Sequence, residues 1–367
     1  MPVRNGGSEA QGRIGGPSEA AARGTEAAFL PVSALDAGPT VSRSSLARAA
    51  ATAAELDFRN EVQYQELPCR TVINATNSSR VPFDFSLNPY RGCEFGCAYC
   101  YARYTHEYLD LEDWLQFERR VFVKAGAREA LAEDLRRRDF RGRAIAIGTA
   151  TDPYQPAEKR FQVTRQLLEV FAGRRGLELS ITTKSDLILR DRELLLKILE
   201  QNRLQVNVTL TTLDRNLSRR LEPRAPRPDR RLRAVRELAA AGVPVGVFAM
   251  PLLPRITDPL PAVEELLIAA RDAGAGRVMT GLLFLTGSSR RRYLPFLEAE
   301  FQELVPFYRR LYGAWNSPAL QEYSRRKSAE IALLKERSGF PAEERGSRRP
   351  PLPPDQLSLD LEPPTES

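Results

Sequence analysis

The sequence predicts an α/β protein: an open, partial (β/α)6 TIM-like barrel with C-terminal helices and disordered termini. Short β-rich runs alternate with segments of helical spacing through the middle of the chain, which is typical of βαβ units around a parallel sheet. The runs are almost continuously apolar, as expected when helices cover the sheet. About six such units can be distinguished, too few for a complete eight-stranded barrel. A functional site is therefore expected at the carboxyl ends of the strands.

The predicted elements follow one another in regular alternation. Gly242 and Gly274 follow two of the helices, in the position where a glycine commonly ends a helix. Strands are expected near 84–89 and at 144–148, 177–182, 204–210, 243–249 and 277–284. Helices, with apolar residues three or four positions apart, are expected at 128–138, 164–172, 193–201, 229–241 and 262–273.

Composition divides the chain into four parts. Residues 1–55 are rich in Gly, Ala, Ser and Glu without periodicity, which predicts a disordered arm. The predicted barrel occupies 56–290, and a helical extension occupies 291–340. Residues 341–367 contain seven prolines and predict a flexible tail. The amphipathic segments of the extension, expected to pack on the barrel as a lid, are 294–312 and 319–334.

The charge is concentrated in the middle of the chain. The formal net charge is +7, and residues 56–340 alone carry 46 basic and 36 acidic side chains. This excess favours a polyanionic partner, and in particular nucleic acid, because basic side chains displace counterions from phosphates. The alternative is an arginine bias of genome composition, since only six of the 54 basic residues are lysine. The basic runs lie within 136–143, 215–233 and 290–292.

Three observations bear on location. The longest uncharged run, 238–254, is too short and too often interrupted by proline to span a membrane. The first ten residues contain no apolar stretch of the kind found in secretory signals. Four cysteines in 367 residues do not form a disulfide scaffold. The sequence therefore predicts a cytoplasmic protein that does not interact with membranes.

Three of the four cysteines form a compact motif, C-x3-C-x2-C, made of Cys93, Cys97 and Cys100. Gly92 and Gly96 allow the backbone to wrap closely around a bulky inorganic group. Thiolates at this density bind zinc or iron–sulfur clusters. A 4Fe–4S cluster normally takes four thiolates, so three would leave one iron open for chemistry. The motif favours such a cluster because it opens a long βα array.

A Cys3His zinc site is the alternative interpretation. His106, the only histidine of the chain, lies six residues after Cys100 and would be the fourth ligand. Such a site would make the protein a metal-dependent nucleic-acid-binding module rather than an enzyme. We expect His106 to be a structural residue instead. Cys69, which lies 24 residues before Cys93, is expected to be an ordinary thiol.

The cysteine motif, with Tyr99 just before its last cysteine, resembles the radical SAM superfamily. The region from about residue 60 to 285 is similar to the spore-photolyase-related group of predicted DNA repair proteins in that superfamily. The segments that carry the resemblance read NPYRGC at 88–93, YAR at 101–103, THEY at 105–108, TDPYQPAE at 151–158, TKS at 183–185 and LEPRAP at 221–226.

The resemblance implies both a cofactor set and a mechanism. The open iron of a 4Fe–4S cluster would bind S-adenosylmethionine, and an electron from a flavodoxin or ferredoxin would cleave its sulfonium bond. The resulting 5′-deoxyadenosyl radical would abstract a hydrogen atom from the substrate. Lys184 is then expected at the carboxylate of S-adenosylmethionine, Tyr99 at its adenine, and Thr209 or a neighbouring threonine at its ribose. Thr151, Asp152 and Arg224 complete the expected site, Arg224 facing either cofactor or substrate.

One departure from the family pattern limits this resemblance. Authentic spore photolyases carry a cysteine just before the Ser/Thr-Asp-Pro step, and it returns a hydrogen atom to the product. Residues 148–153 read GTATDP and contain no cysteine, so repair of the spore lesion itself is not expected. Nucleic acid is the favoured substrate, and a peptide or small molecule is the alternative. Tyrosines that are possible hydrogen donors are Tyr99, Tyr101, Tyr104 and Tyr154.

The tail carries a short motif of its own. Residues 356–361, QLSLDL, place apolar side chains at alternate positions behind a glutamine. This pattern resembles the peptides with which bacterial DNA polymerases and repair proteins dock on the sliding clamp. An extended segment of this kind can insert alternate side chains into a hydrophobic groove. A sliding clamp is therefore a predicted partner.

Overall fold

The computed structural model describes residues 43–59, 61–76, 81–111, 113–285, 287–314 and 317–340. Its strands are β1 (Glu55–Arg59), β2 (Val62–Pro68), β3 (Ile73–Ala75), β4 (Phe85–Leu87), β5 (Tyr90–Arg91), β6 (Arg120–Ala125), β7 (Ala144–Ile147), β8 (Glu178–Thr183), β9 (Arg203–Thr209), β10 (Val245–Leu252) and β11 (Arg277–Leu282).

The helices lie between and after these strands. They are α1 (Arg43–Ala51), α2 (Gln116–Arg119), α3 (Ala127–Arg137), α4 (Glu158–Phe161), α5 (Val163–Ala172), α6 (Arg192–Leu199), α7 (Arg215–Leu221), α8 (Pro228–Ala240), α9 (Leu260–Asp272), α10 (Gly287–Glu300), α11 (Val305–Tyr312) and α12 (Pro318–Arg337). Short 3₁₀ helices occupy Tyr101–Leu109, Asp186–Asp191 and Gln302–Leu304. None of the helices in the described part of the chain is both long and apolar enough to cross a membrane.

The main sheet has the order β11-β10-β9-β8-β7-β4-β3. Strands β4 and β7 to β11 run parallel, and β3 pairs antiparallel with β4 at one edge. This is the open (β/α)6 barrel that the sequence predicts, and each predicted strand is confirmed within a few residues. Its core forms because helices such as α5 bury an apolar face that includes Leu167, Leu168 and Phe171, all at most 1% exposed. Each such side chain contributes about 1.5–3 kcal/mol of burial free energy.

A second, smaller sheet was not predicted. Its order is β1-β2-β6-β5, with β2 and β6 parallel and the outer pairs antiparallel. The segment around Cys69 contains no helical spacing and only short β-rich runs, so its sequence alone does not predict a sheet. Pairing between β2 and β6 forms this sheet, and those two strands lie far apart in sequence. The small sheet carries the ends of the cysteine segment, since β5 precedes that segment and β6 follows it.

The predicted disordered arm needs a correction at its end. Residues 43–51 form α1, and Ala50 is only 2% exposed. Ala50 packs in a small cluster with Leu67, Leu109 and Phe122. These contacts stabilise a helix whose alanine-rich sequence has little amphipathic pattern of its own. Residues 1–42 and the predicted tail lie outside the described residues.

The C-terminal helices differ from the predicted lid in one respect. The helix expected over 294–312 is two helices, α10 and α11, separated by the short 3₁₀ turn. Pro306 lies in the first turn of α11, where proline is tolerated because the first N–H groups of a helix have no partner within it. Helix α10 packs against the 3₁₀ helix Tyr101–Leu109, and α12 packs against α9. The extension therefore lies beside the segment that follows the cysteines.

Candidate active site

The three cysteines lie on a loop between β5 and the 3₁₀ helix Tyr101–Leu109. Cys93 and Cys97 are buried, and Cys100 is half-buried. The backbone N–H of Cys93 donates to the Phe117 carbonyl oxygen at 2.9 Å. The guanidinium of buried Arg103 donates to the Cys97 carbonyl oxygen at 3.0 Å. These bonds fasten the start and the middle of the cysteine loop to the structure around it.

Gly92 permits this close packing. Its φ of +84° lies in the left-handed region, where a residue with a side chain is strained. A Cβ atom at this position would lie 2.7 Å from the Arg120 carbonyl oxygen and 2.9 Å from that of Phe117. Both obstacles are backbone atoms that cannot rotate away. Only glycine therefore lets the chain enter the loop immediately before Cys93.

The electrostatic environment of the thiols is set mainly by burial, which Lys184 opposes. Burial raises the pKa of all three thiols, that of Cys97 to about 12. Lys184 acts in the opposite direction on Cys97 and Cys100. Thiolates in such a place need positive charge nearby, which bound iron supplies.

The donor set consists of three thiols on one loop. In the described part of the chain, no three His, Cys, Asp or Glu side chains are gathered into a site for one metal ion. In an iron–sulfur cluster each thiolate binds a different iron, so the ligands need not converge on one point. Three thiols on one loop therefore match a cluster that leaves one iron without a protein ligand.

His106 occupies a structural position. It is 1% exposed, and its ring packs near Phe117 and Phe122, with centroid distances of 5.2 and 5.8 Å. Its Nε2–H donates to the Arg120 carbonyl oxygen at 2.9 Å. Burial lowers the pKa of His106 to about 3, so the ring is neutral. These contacts support the structural interpretation of His106 over its use as a zinc ligand.

Lys184 follows β8 and lies close to the cysteine loop. Its Nζ is 5.8 Å from the centroid of the Tyr99 ring. Burial opposes the charged form of Lys184, but Cys97 and Glu222 outweigh burial and raise the pKa of its ammonium group. The structure thus brings together Tyr99, Lys184 and the cysteines, as predicted from the sequence.

Asp152 holds the backbone that carries Lys184. Its carboxylate accepts hydrogen bonds from the Lys184 N–H at 2.7 Å, the Thr183 hydroxyl at 2.6 Å and the Tyr154 N–H at 2.9 Å. Burial raises the pKa of Asp152, and these donors act against that rise. The carboxylate therefore joins the loop after β7 to the end of β8.

The three other predicted site residues differ in how deeply their side chains are buried and in what they contact. The Thr151 hydroxyl donates to the Gly92 carbonyl oxygen at 2.6 Å, which directs it to the cysteine loop. Thr209 is 4% exposed at the end of β9. Arg224 is exposed, and its backbone N–H donates to the Phe95 carbonyl oxygen at 3.3 Å. The Arg224 side chain therefore lies on the surface near the cysteine loop rather than inside the site.

The sequence analysis missed a buried ion pair, Glu222 with Arg231. Both side chains are at most 1% exposed and hydrogen-bond to each other. Glu222 also accepts from the Tyr99 hydroxyl and, at 3.2 Å, from the Thr211 hydroxyl. Burial favours the neutral acid, but Arg231 and Lys184 outweigh it and lower the pKa of Glu222. Glu222 lies in the LEPRAP segment that carries the family resemblance, two residues before Arg224, the residue of that segment that was expected in the site.

The predicted basic runs are partly neutralised on the surface. Arg136 and Arg137 pair with Glu133, and Arg291 pairs with Glu107 at 2.9 Å. Other arginines of the second run pair with acidic neighbours: Arg220 with Glu300, Arg227 with Asp229, and Arg230 and Arg233 with Asp186. The basic runs therefore carry less unpaired positive charge than their sequences indicate.

Comparisons with known proteins identify the family. The radical SAM superfamily model matches residues 87–289, and the chain belongs to that superfamily. An uncharacterized protein of Mycobacterium tuberculosis is 36% identical over 273 residues, which cover 74% of this chain and 80% of that protein. An uncharacterized protein of Methanocaldococcus jannaschii is 32% identical over 183 residues, covering 50% of this chain and 66% of its own length.

Solved structures show the same fold. Spore photoproduct lyase with bound AdoMet and dinucleoside spore photoproduct superposes with a TM-score of 0.53 and 15% sequence identity. The match covers 83% of this chain and 84% of that one. Together with the family match, this fold identifies the chain as a radical SAM enzyme.

Proposed function

We propose that Cys93, Cys97 and Cys100 hold a 4Fe–4S cluster, that S-adenosylmethionine binds beside it, and that the enzyme acts on nucleic acid. The observation that carries the cofactor proposal is Lys184, whose ammonium group lies 5.8 Å from the ring of Tyr99, a residue between Cys97 and Cys100. When bound, the cluster would supply an electron and S-adenosylmethionine a cleavable sulfonium bond, and together they would be the source of a 5′-deoxyadenosyl radical. A flavodoxin or ferredoxin is the proposed electron donor.

The chain's own residues position the cofactor and exclude water. Lys184 offers a charge-assisted hydrogen bond to the carboxylate of S-adenosylmethionine. Tyr99 lies beside it for the adenine, and Thr209 ends the neighbouring strand where the ribose would lie. Asp152 binds no cofactor atom in this scheme and holds the backbone of Lys184 instead. Tyr99 and Thr209 are buried, and their burial limits the access of water to a reactive radical.

Two observations support a nucleic-acid substrate. The predicted core carries 46 basic and 36 acidic side chains, a balance that suits phosphates. The structurally similar lyase binds a dinucleoside photoproduct in its solved complexes. Arg224, exposed beside the cysteine loop, is the side chain we assign to a phosphate of the substrate.

The cofactor proposal is tested by anaerobic reconstitution with iron and sulfide. Replacement of Cys93, Cys97 or Cys100 by Ala should each abolish the visible cluster absorbance and the formation of 5′-deoxyadenosine with dithionite. Cys69→Ala is the matched control and should retain both, because Cys69 donates to the Ala125 carbonyl oxygen instead. Loss of iron in Cys69→Ala, or zinc bound in place of iron, would contradict the proposal.

The substrate proposal is tested by the yield of 5′-deoxyadenosine with damaged DNA, undamaged DNA and a peptide pool. Stimulation by DNA is expected, and stimulation by peptide alone would contradict it. Arg224→Ala should weaken DNA binding at every sequence and lower the salt dependence by about one charge. Arg236→Ala is the control, since Arg236 is an exposed arginine on α8, a helix that covers the outside of the barrel.

A further inference from the structure

The side chain of Gln155 pairs with the backbone on both sides of Cys93. Gln155 is fully buried, at 0% exposure. Its Nε2–H donates to the Gly92 carbonyl oxygen at 3.1 Å, and its Oε1 accepts from the Glu94 N–H at 3.0 Å. The amide group thus contacts the residue before Cys93 and the residue after it, much as a neighbouring strand would.

The contact is reciprocal. The Gln155 amide also donates to the Thr151 hydroxyl at 2.9 Å, and that hydroxyl donates to the same Gly92 oxygen. In return, the Glu94 carboxylate accepts from the Ala157 N–H at 2.8 Å. The loop after β7 and the cysteine loop therefore satisfy each other's buried polar groups, and separating them would leave several of these groups without partners.

The opposite side of Cys93 is fixed as well. Its own N–H donates to the Phe117 carbonyl oxygen at 2.9 Å, and the Gly92 backbone has no room for a Cβ atom. Cys93 is therefore held between α2 and Gln155, so that only its thiol side chain can turn. Residues that orient a metal ligand in this way commonly change metal affinity by about 10- to 100-fold when removed.

We propose that Gln155 is a positioning residue that holds the Cys93 thiol in the direction needed to bind iron. This inference rests on the proposed cluster. It gives a role to Gln155, a residue of the TDPYQPAE segment that does not bind the cofactors in the proposed function. Gln155 acts through Cys93 and touches no substrate or cofactor atom.

The test compares Gln155→Ala with Asn202→Ala. Asn202 also carries a buried amide, at 9% exposure, and both its oxygen and its nitrogen form hydrogen bonds with backbone groups. It accepts from the Leu177 N–H at 3.0 Å and donates to the Arg174 and Ile198 carbonyl oxygens at 2.8 and 3.0 Å. Asn202 lies just before β9, at the end of the barrel away from the cysteines, so it controls for the general loss of a buried amide.

Two readouts separate positioning from stability. Both variants should lower the thermal midpoint of the metal-free protein. Only Gln155→Ala should release iron to a chelator about tenfold or more faster than the wild type. It should also change the electron paramagnetic resonance spectrum of the reduced cluster. Equal iron retention in the two variants would overturn the proposal.

A conservative variant covers the case in which Gln155→Ala does not fold. Gln155→Glu has nearly the same shape and still accepts from the Glu94 N–H, but a carboxyl group has at most one hydrogen to donate, so at least one of the bonds to Gly92 and Thr151 is lost. It should lose iron faster than the wild type, whereas unchanged retention would overturn the inference. A wild-type protein that binds no iron would instead contradict the proposed function, so the two failures are distinguishable.

Discussion

The single histidine gives a pH prediction that can be measured cleanly. Burial lowers the pKa of His106 from 6.5 to about 3, so the folded protein keeps the ring neutral while the unfolded chain takes up a proton below pH 6.5. The stability that the neutral His106 ring contributes is therefore fully present above pH 6.5 and is lost as the pH falls toward 3. At pH 5 the loss amounts to about 2 kcal/mol, from 1.36 kcal/mol for each pH unit below 6.5.

The assay is urea unfolding of the metal-free protein, under reducing conditions, at pH values from 8 down to 5. His106→Gln is the matched variant, because its amide can still donate to the Arg120 carbonyl oxygen and it does not titrate. Burial raises the pKa of Glu94 and Asp152, and protonation of these carboxyls favours the folded state as the pH falls, the opposite direction. The difference between wild type and variant therefore isolates His106.

The expected result is a decline in stability in the wild type that is steeper than in His106→Gln by about 2 kcal/mol between pH 8 and pH 5. Two outcomes would refute the reasoning. One is an equal pH dependence in both proteins. The other is a ring resonance of His106 that titrates near 6.5 in the folded protein, which would show that the ring is not buried as described.

The remaining predictions concern the site and the tail. Lys184→Ala should keep the cluster but weaken S-adenosylmethionine binding by about 10- to 100-fold, or 1.5–3 kcal/mol; an unchanged Kd by calorimetry would remove Lys184 from the site. Glu222→Gln should cost about 3–5 kcal/mol in urea unfolding, because Arg231 stays buried without its anion. Adding Arg231→Met should recover part of that loss, because it removes the buried charge while the Pro226 and Thr209 carbonyl oxygens lose their donor; no recovery at all would contradict the ion-pair argument. A labelled peptide of residues 351–367 should bind purified sliding clamp at micromolar concentration by fluorescence anisotropy, and Gln356→Ala plus Leu359→Ala should abolish this binding; no binding at saturating clamp would contradict the docking prediction.

Much of the barrel could be predicted because its signals are local. The apolar runs that become β7 to β11 are short and continuous, and the helices between them repeat every three or four residues. The cysteine motif is equally local, since three thiols within eight residues share one loop. Lys184 follows a predicted strand, and parallel strands end on the same edge of a sheet, but its expected contact with S-adenosylmethionine came from the family resemblance.

The small sheet and α1 depend on partners that are distant in sequence. Strand β2 pairs with β6 across the whole cysteine segment, from Gln63 with Arg120 to Pro68 with Ala125. Neither strand has a strong pattern alone, and each is stabilised by the other. Helix α1 likewise depends on the apolar cluster around Ala50. Local propensity is a weak guide where tertiary contacts supply most of the stability.

The direction of each side chain in the site was decided by tertiary structure alone. Glu222 and Arg224 are two residues apart, yet the first is buried with Arg231 and the second is exposed. The sequence identified the segment but could not choose between them, because loop backbone angles set which side chain points inward. Gln155 shows the same limit, since its pairing with Gly92 and Glu94 exists only when two loops meet. The sequence by itself therefore determined the family, the barrel and the thiols, while folding decided which buried polar groups hold those thiols, because such groups must find partners wherever the chain brings them.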